Sequence, residues 1–172
     1  VAQHYLAGLL ARLPESHLLF RPTVNSYRRL DRGAWSPEDA SWGYENRTAA
    51  VRAITTPVAD AARFEHRVPG ADINPYLSIA AMLAAGLDGV EEKMALEPAA
   101  PGNPGALDRP ALSRTLKGSI ESFTGSAFID RVFGAEFKAH YALSRQAEPD
   151  AFDGWMAAQI TDFEFQRYFI GT

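Results

Sequence analysis

Between residues 62 and 77 the chain reads ARFEHRVPGADINPYL, and that stretch constrains the fold more than any other. Arg63, Glu65 and Arg67 alternate with Phe64, His66 and Val68. Successive side chains of a strand point to opposite faces, so an extended segment puts the three charges on one face and the other three residues behind it. The charged face is either solvated or filled by a charged ligand. Asn74-Pro75 then opens a helix, because Asn is a favoured N-cap and Pro at the first helical position forgoes no hydrogen bond. A charged strand running into a capped helix predicts an α+β fold.

The remaining periodicities extend this frame. Val1, Tyr5, Leu6, Leu9, Leu10 and Leu13 recur at helical spacing up to Pro14. Residues 15–42 hold Pro22, Gly33 and Pro37 and read as loop with short turns. Segments 46–54 and 63–68 read as two short strands forming an antiparallel hairpin. After Asn74, the stripe Tyr76, Ile79, Ala80, Leu83, Leu87, Val90 and Met94 is expected to face the core. Residues 96–110, rich in Pro and Gly, mark an exposed excursion. Helical patterns follow at 110–123, 127–133, 135–145 and 150–169, the last with Asp150 as its cap. The expected architecture is helix-rich, one unit over 1–172 with a short antiparallel hairpin. A start at Val1, inside a helix already under way, is expected of a piece of a longer chain.

With 47% apolar and 22% charged residues, the composition is that of an ordinary globular domain. The net charge of -4 argues against a general nucleic-acid surface, so any basic site is focal. There is no cysteine, which removes disulfides and thiolate metal sites. No apolar run reaches the roughly 18 residues of a membrane span. The expected setting is the cytoplasm, with neither nucleic acid nor membrane as partner.

The candidate functional residues are Arg28, Arg29, Arg47, Arg52, Arg63 and Arg67, with Glu65 the carboxylate set among the strand arginines. Arginine forks pair bidentately with carboxylate and phosphate oxygens, so several converging on one site imply a polyanion. Glu65 suits a metal ligand better than a general base, because hard cations prefer oxygen donors. ATP with Mg²⁺ satisfies both halves, and phosphoryl transfer asks for positioning and charge neutralisation more than for a nucleophilic side chain. Arg47 and Arg52 lie five apart, so Arg47 must precede its strand or a bulge must intervene.

In this order and spacing, SYRRL, WGYENRTAAVR, RFEHRVPGADINPYL and AAGLDG resemble the C-terminal half of the catalytic domain of the glutamine synthetase family. The resemblance implies ATP-dependent phosphorylation of glutamate and capture of the acyl phosphate by an amine, at the interface of a homo-oligomeric ring. It implies that Arg29 holds the α-carboxylate of glutamate. Arg47 would meet the transferred phosphate, Arg52 the nucleotide phosphates and Arg63 the nucleotide. Glu65 would ligate Mg²⁺ or Mn²⁺, and Arg67 would approach the reacting carboxylate or phosphate.

Departures from the family pattern sharpen the expectation. The family's earlier metal ligands are absent, so this chain is expected to be inactive alone. Asp60 stands where many members carry a lysine, and residues 96–110 hold no tyrosine. Trp35 stands near the place of a flap glutamate that many glutamine-forming members use to bind ammonium. With EHRVPGADINPYL, this resembles the branch that ligates glutamate to organic amines or polyamines, with Trp35 against the amine. Ordinary glutamine synthesis with ammonium and a catalytically silent structural relative are the alternatives.

Overall fold

The computed structural model describes residues 1–30, 36–56, 61–102, 109 and 111–170. Its first correction to the sequence reading comes at Pro14. Helix α1 (Ala2–Ala11) is followed, after Arg12 alone, by α2 (Leu13–Phe20), with Pro14 in the opening turn of α2. A proline there lacks only an N–H that has no helical acceptor, so it starts a helix instead of stopping one. The expected loop over residues 15–42 also contains a 3₁₀ segment, Val24–Leu30, and ends where a strand β1 (Trp42–Tyr44) begins.

Strands β2 (Val51–Ile54) and β3 (Arg63–His66) form the expected antiparallel hairpin, with Arg52 opposite Glu65 and Ala53 opposite Phe64. On the other edge of β2 lies β1, parallel to it, giving the sheet order β1-β2-β3. The short return from β1 to β2 is braced by Asn46, whose Oδ1 accepts from the Thr48 backbone N–H at 2.9 Å. Its Nδ2 donates to the Gly102 carbonyl at 2.7 Å.

Helix α3 (Pro75–Glu91) begins as expected, Asn74 Oδ1 accepting from the backbone N–H groups of Tyr76 and Leu77 at 3.0 and 3.3 Å. Its orientation is the reverse of the expected one. Tyr76, Ile79, Leu83 and Leu87 are 83, 51, 53 and 55% exposed, while Ser78, Ala81, Ala85 and Gly89 are buried. The small residues let α1 and α3 approach backbone to backbone. A Cβ on Gly8 would stand 2.7 Å from Gly89 Cα, and one on Gly89 would stand 2.6 Å from Gly8 Cα. Close packing of two backbones wins over burial of the bulkier stripe, which is left uncovered. Beside this seam the buried Asp88 accepts from Arg12 Nε at 2.7 Å and from Arg131 Nη2 at 2.5 Å.

Helices α4 (Leu116–Thr124), α5 (Ala127–Phe133), α6 (Ala135–Ala157) and α7 (Asp162–Phe165) follow, the last continued by a π-helical turn Gln166–Ile170. The break expected before residue 150 does not occur. Helix α6 runs through Pro149, and Asp150, instead of capping, accepts from Gln146 Nε2 at 2.8 Å. Pro149 forgoes one helical hydrogen bond, and its ring is buried. The main core joins Leu9, Leu13, Leu19 and Phe20 to Val68, Ala85, Phe123 and Ile129. A second cluster ties Leu6 and Leu10 of α1 to Trp42, Val51 and Ala53 of the sheet. Among the described residues no helix is long and apolar enough to cross a membrane.

Candidate active site

Because Arg52 and Glu65 are register partners, the pleat brings them to the same face of the hairpin, and Arg52 Nη1 donates to Glu65 Oε2 at 3.2 Å. Arg67 Nη1 donates to the other carboxylate oxygen, Oε1, at 3.2 Å. Arg63 occupies the alternate position on the same face, with Nη1 on the Ala61 carbonyl at 2.9 Å. The alternation in RFEHR therefore does gather its charges, together with Arg52, on one side. Arg47 lies exposed in the turn ahead of β2, so its five-residue spacing from Arg52 needs no bulge.

Arg29 reaches this region from the 3₁₀ segment. Its Nη1 donates to the Pro69 carbonyl at 3.3 Å, two residues beyond Arg67. The loop it meets is fixed by Asp72, which accepts from Ser26 Oγ at 2.5 Å and from Thr23 Oγ1 at 2.9 Å. Arg28 points elsewhere, its guanidinium 6.0 Å from the centre of the Phe152 ring. Trp35 and Asp60 lie outside the described residues.

Two residues were missed by sequence reasoning. Glu45 accepts from Arg52 Nε at 3.1 Å and from Arg52 Nη2, and from the Thr55 backbone N–H at 3.1 Å. It lies just outside the strand read from sequence, and its left-handed backbone, with φ of 50°, carries no compositional signal. Arg21 is wholly buried and donates from Nη2 to Ser36 Oγ and to the Pro37 carbonyl, both at 2.9 Å. Burial pushes its guanidinium down to about 10. A wholly buried arginine is rare enough that no pattern would have placed it inside.

The charged face thus holds three arginines against Glu45 and Glu65, a net of one positive charge. Glu65 is the carboxylate at the centre of this face, held by Arg52 and Arg67. No group of three or more His, Asp or Glu able to hold a metal occurs among the described residues, so these side chains do not by themselves make a metal site.

Behind β3, His66 tilts against Phe20 with ring centroids 4.9 Å apart, the packing role its position implied. Burial pushes its imidazole down to about 4. His17 is also buried, with Nδ1 2.8 Å from Ser119 Oγ, and burial brings it to about 3. Both rings stay neutral in the folded chain, while an unfolded chain binds protons below its ordinary histidine value of about 6.5. Stability is therefore full above about pH 6.5 and falls as the pH drops toward 4, by about 1 kcal/mol per histidine at pH 5.5. Urea midpoints at pH 7.5 and 5.5 check this, and His66→Phe should remove about half of the difference. An unchanged pH slope in that variant would remove His66 from the account.

Over residues 1–168 the chain matches the family described as glutamine synthetase, catalytic domain. It is 40% identical over 169 residues to the γ-glutamylethanolamide synthetase of Streptomyces coelicolor, covering 98% of this chain and 35% of that protein. It is 41% identical over 172 residues to the glutamate–isopropylamine ligase of a Pseudomonas species, covering 98% of this chain and 36% of that one. Among solved structures, the complex of GmaS with ADP superposes with a TM-score of 0.81 at 30% identity, over 99% of this chain and 40% of that one. The chain thus spans little more than a third of the curated relatives it matches. A charged hairpin face carried on this helical frame, matched along nearly the whole chain, places it in the glutamine synthetase family, within the catalytic domain.

Proposed function

We propose that this chain is the C-terminal part of the catalytic domain of an ATP-dependent ligase that joins glutamate to an organic amine through a γ-glutamyl phosphate. The observation that carries this reading is the single face holding Arg52, Arg63 and Arg67 around Glu65, with Arg29 anchored beside the loop that follows. Relatives named for ethanolamide and isopropylamine ligation support an organic acceptor over ammonium. The uncovered apolar stripe of α3 and the half-open apolar side of the sheet, at Tyr44 and Phe64, support the further point that more polypeptide completes the domain.

In this reading Arg29 binds the α-carboxylate of glutamate and Arg63 and Arg52 hold the nucleotide. Arg47 and Arg67 neutralise charge on the phosphoryl group as it passes from ATP to the γ-carboxylate. The amine nitrogen then attacks the acyl carbon, inorganic phosphate leaves, and the nitrogen gives up its proton. Mg²⁺ or Mn²⁺ would take Glu65 as one ligand and needs oxygen donors beyond those the described residues bring together. A homo-oligomer is the expected assembly.

The test is phosphate release by the complete polypeptide with glutamate, ATP and Mg²⁺, comparing ammonium with mono-, di- and polyamines. An organic amine is expected to give the highest kcat/KM, residues 1–172 alone should show no turnover, and Trp35→Glu should move the ranking toward ammonium. Ammonium ranking first would return the reading to glutamine synthesis. No turnover with any acceptor would point to a silent relative.

A further inference from the structure

We propose that Glu45 is the internal counter-anion of the phosphate-facing arginines, occupying the Nε–Nη2 edge of Arg52 until a polyphosphate takes that edge over. This rests on the reading of Arg52 as a nucleotide-phosphate residue. The starting point is a backbone outlier. Glu45 has φ of 50°, a left-handed conformation uncommon for residues other than glycine, asparagine and aspartate. Such outliers persist where the surrounding structure fixes them, and they concentrate at ligand sites.

What fixes this one is visible in its bonds. The Glu45 backbone N–H reaches the Ala53 carbonyl at 3.0 Å, extending the pairing of β1 with β2 by one residue. Its side chain then turns back over Arg52, one oxygen on the guanidinium and the other on the Thr55 N–H at 3.1 Å. The hydrogen bond from Arg52 holds the Glu45 carboxyl below the usual glutamate range. Since Glu65 takes Nη1, both ends of the Arg52 fork are already engaged by carboxylates. Carboxylate and phosphate oxygens use the same fork, and with three of its five N–H donors taken, a phosphate that seeks the paired Nε–Nη2 edge competes with Glu45. Glu65 is also held by Arg67, whereas the Glu45 side chain is the more exposed, 46% against 39%, and has only a backbone N–H to fall back on. Glu45 is the one that yields.

The function of such an arrangement is to weaken product binding. A face with a net of one positive charge releases a polyanion faster than the net of two that would remain without Glu45. Removing the Glu45 charge should tighten polyphosphate binding, by up to about fivefold for an exposed ion pair.

The experiment titrates metal-free tripolyphosphate into residues 1–172 by calorimetry. The variants are Glu45→Gln and Glu45→Asn, the second because asparagine readily accepts the left-handed backbone. Melting curves show that each is folded. Both should bind about three- to fivefold more tightly than the parent chain, and Glu45→Gln should give no gain in an Arg52→Gln background. Unchanged or weaker binding in both variants overturns the proposal, as does no binding by any of them. An equal gain without Arg52 also overturns it, because the effect would then be a general field. An inactive ligase assay alongside the expected titration rejects only the enzymatic reading, and an active ligase with tripolyphosphate indifferent to Glu45 rejects only this one.

Discussion

Gly8→Val is expected to lower the stability of this chain by about 3 kcal/mol, a fall in melting temperature of about 6–12 °C for a domain of this size. In an isolated helix the exchange would cost little, since glycine is itself a poor helix former. Here the added Cβ meets Gly89 Cα and N, both 2.7 Å away, and the Ala85 carbonyl, none of which can move as a side-chain tip would. The two helices must separate, and the Arg12–Asp88 bond across the same seam lengthens with them. Gly154 in α6 is an internal control, because a Cβ there meets nothing within 4 Å. Gly154→Ala should be neutral or stabilising by up to about 1 kcal/mol. Denaturation of the two variants side by side decides the matter, and equal effects would remove the close approach as the cause.

Asp88→Ala should be comparably damaging, costing about 3 kcal/mol, because it leaves two arginines without the buried carboxylate that gathers them. The lower end of the usual range applies, since Arg131 is half-exposed and can be solvated in place. Burial opposes ionisation of Asp88, but the hydrogen bonds from Arg131 and Arg12 outweigh it and hold the carboxyl below the usual aspartate range. The sign follows from that depression. The contribution is complete above the ordinary value near pH 4 and is lost as the pH falls through the lower folded value. Parent and variant should therefore differ most at pH 7 and converge below about pH 4. A constant difference between pH 7 and pH 3 would show that the loss is one of packing, not charge.

Local chemistry was readable in the sequence wherever a single residue type decides the outcome. Asn74-Pro75 started a helix because one side chain can satisfy two orphan N–H groups, and RFEHR shared out its faces because strand alternation admits no other arrangement. What failed was inference from bulk. Tyr76, Ile79, Leu83 and Leu87 were ranked as core for their size, yet the interface belongs to Ala81, Ala85 and Gly89. The signal was present as small residues spaced four apart on α3 and a glycine within α1. Pro14 was read as a helix end and Asp150 as a fresh helix cap, but a proline in the first turn starts α2 and α6 runs on through Pro149. Of the charged face, the arginines and Glu65 were legible because they share strands. Glu45 was not, because it reaches Arg52 through a turn whose geometry no spacing rule encodes.

The seam between α1 and α3 also has a history in time. Arg12 and Asp88 are 76 residues apart in the chain. At the ~5–20 residues per second of a ribosome, α1 leaves the exit tunnel about 4–15 s before the helix it must meet. Trp42, Val51 and Ala53 emerge well inside that interval and meet Leu6 and Leu10, so the sheet covers one side of α1 first. The glycine side, which offers a waiting chain almost no greasy surface, is the side left open longest. A contact built from backbone and small side chains can stay unmade during synthesis without attracting the wrong partner, which an equally buried row of leucines could not do.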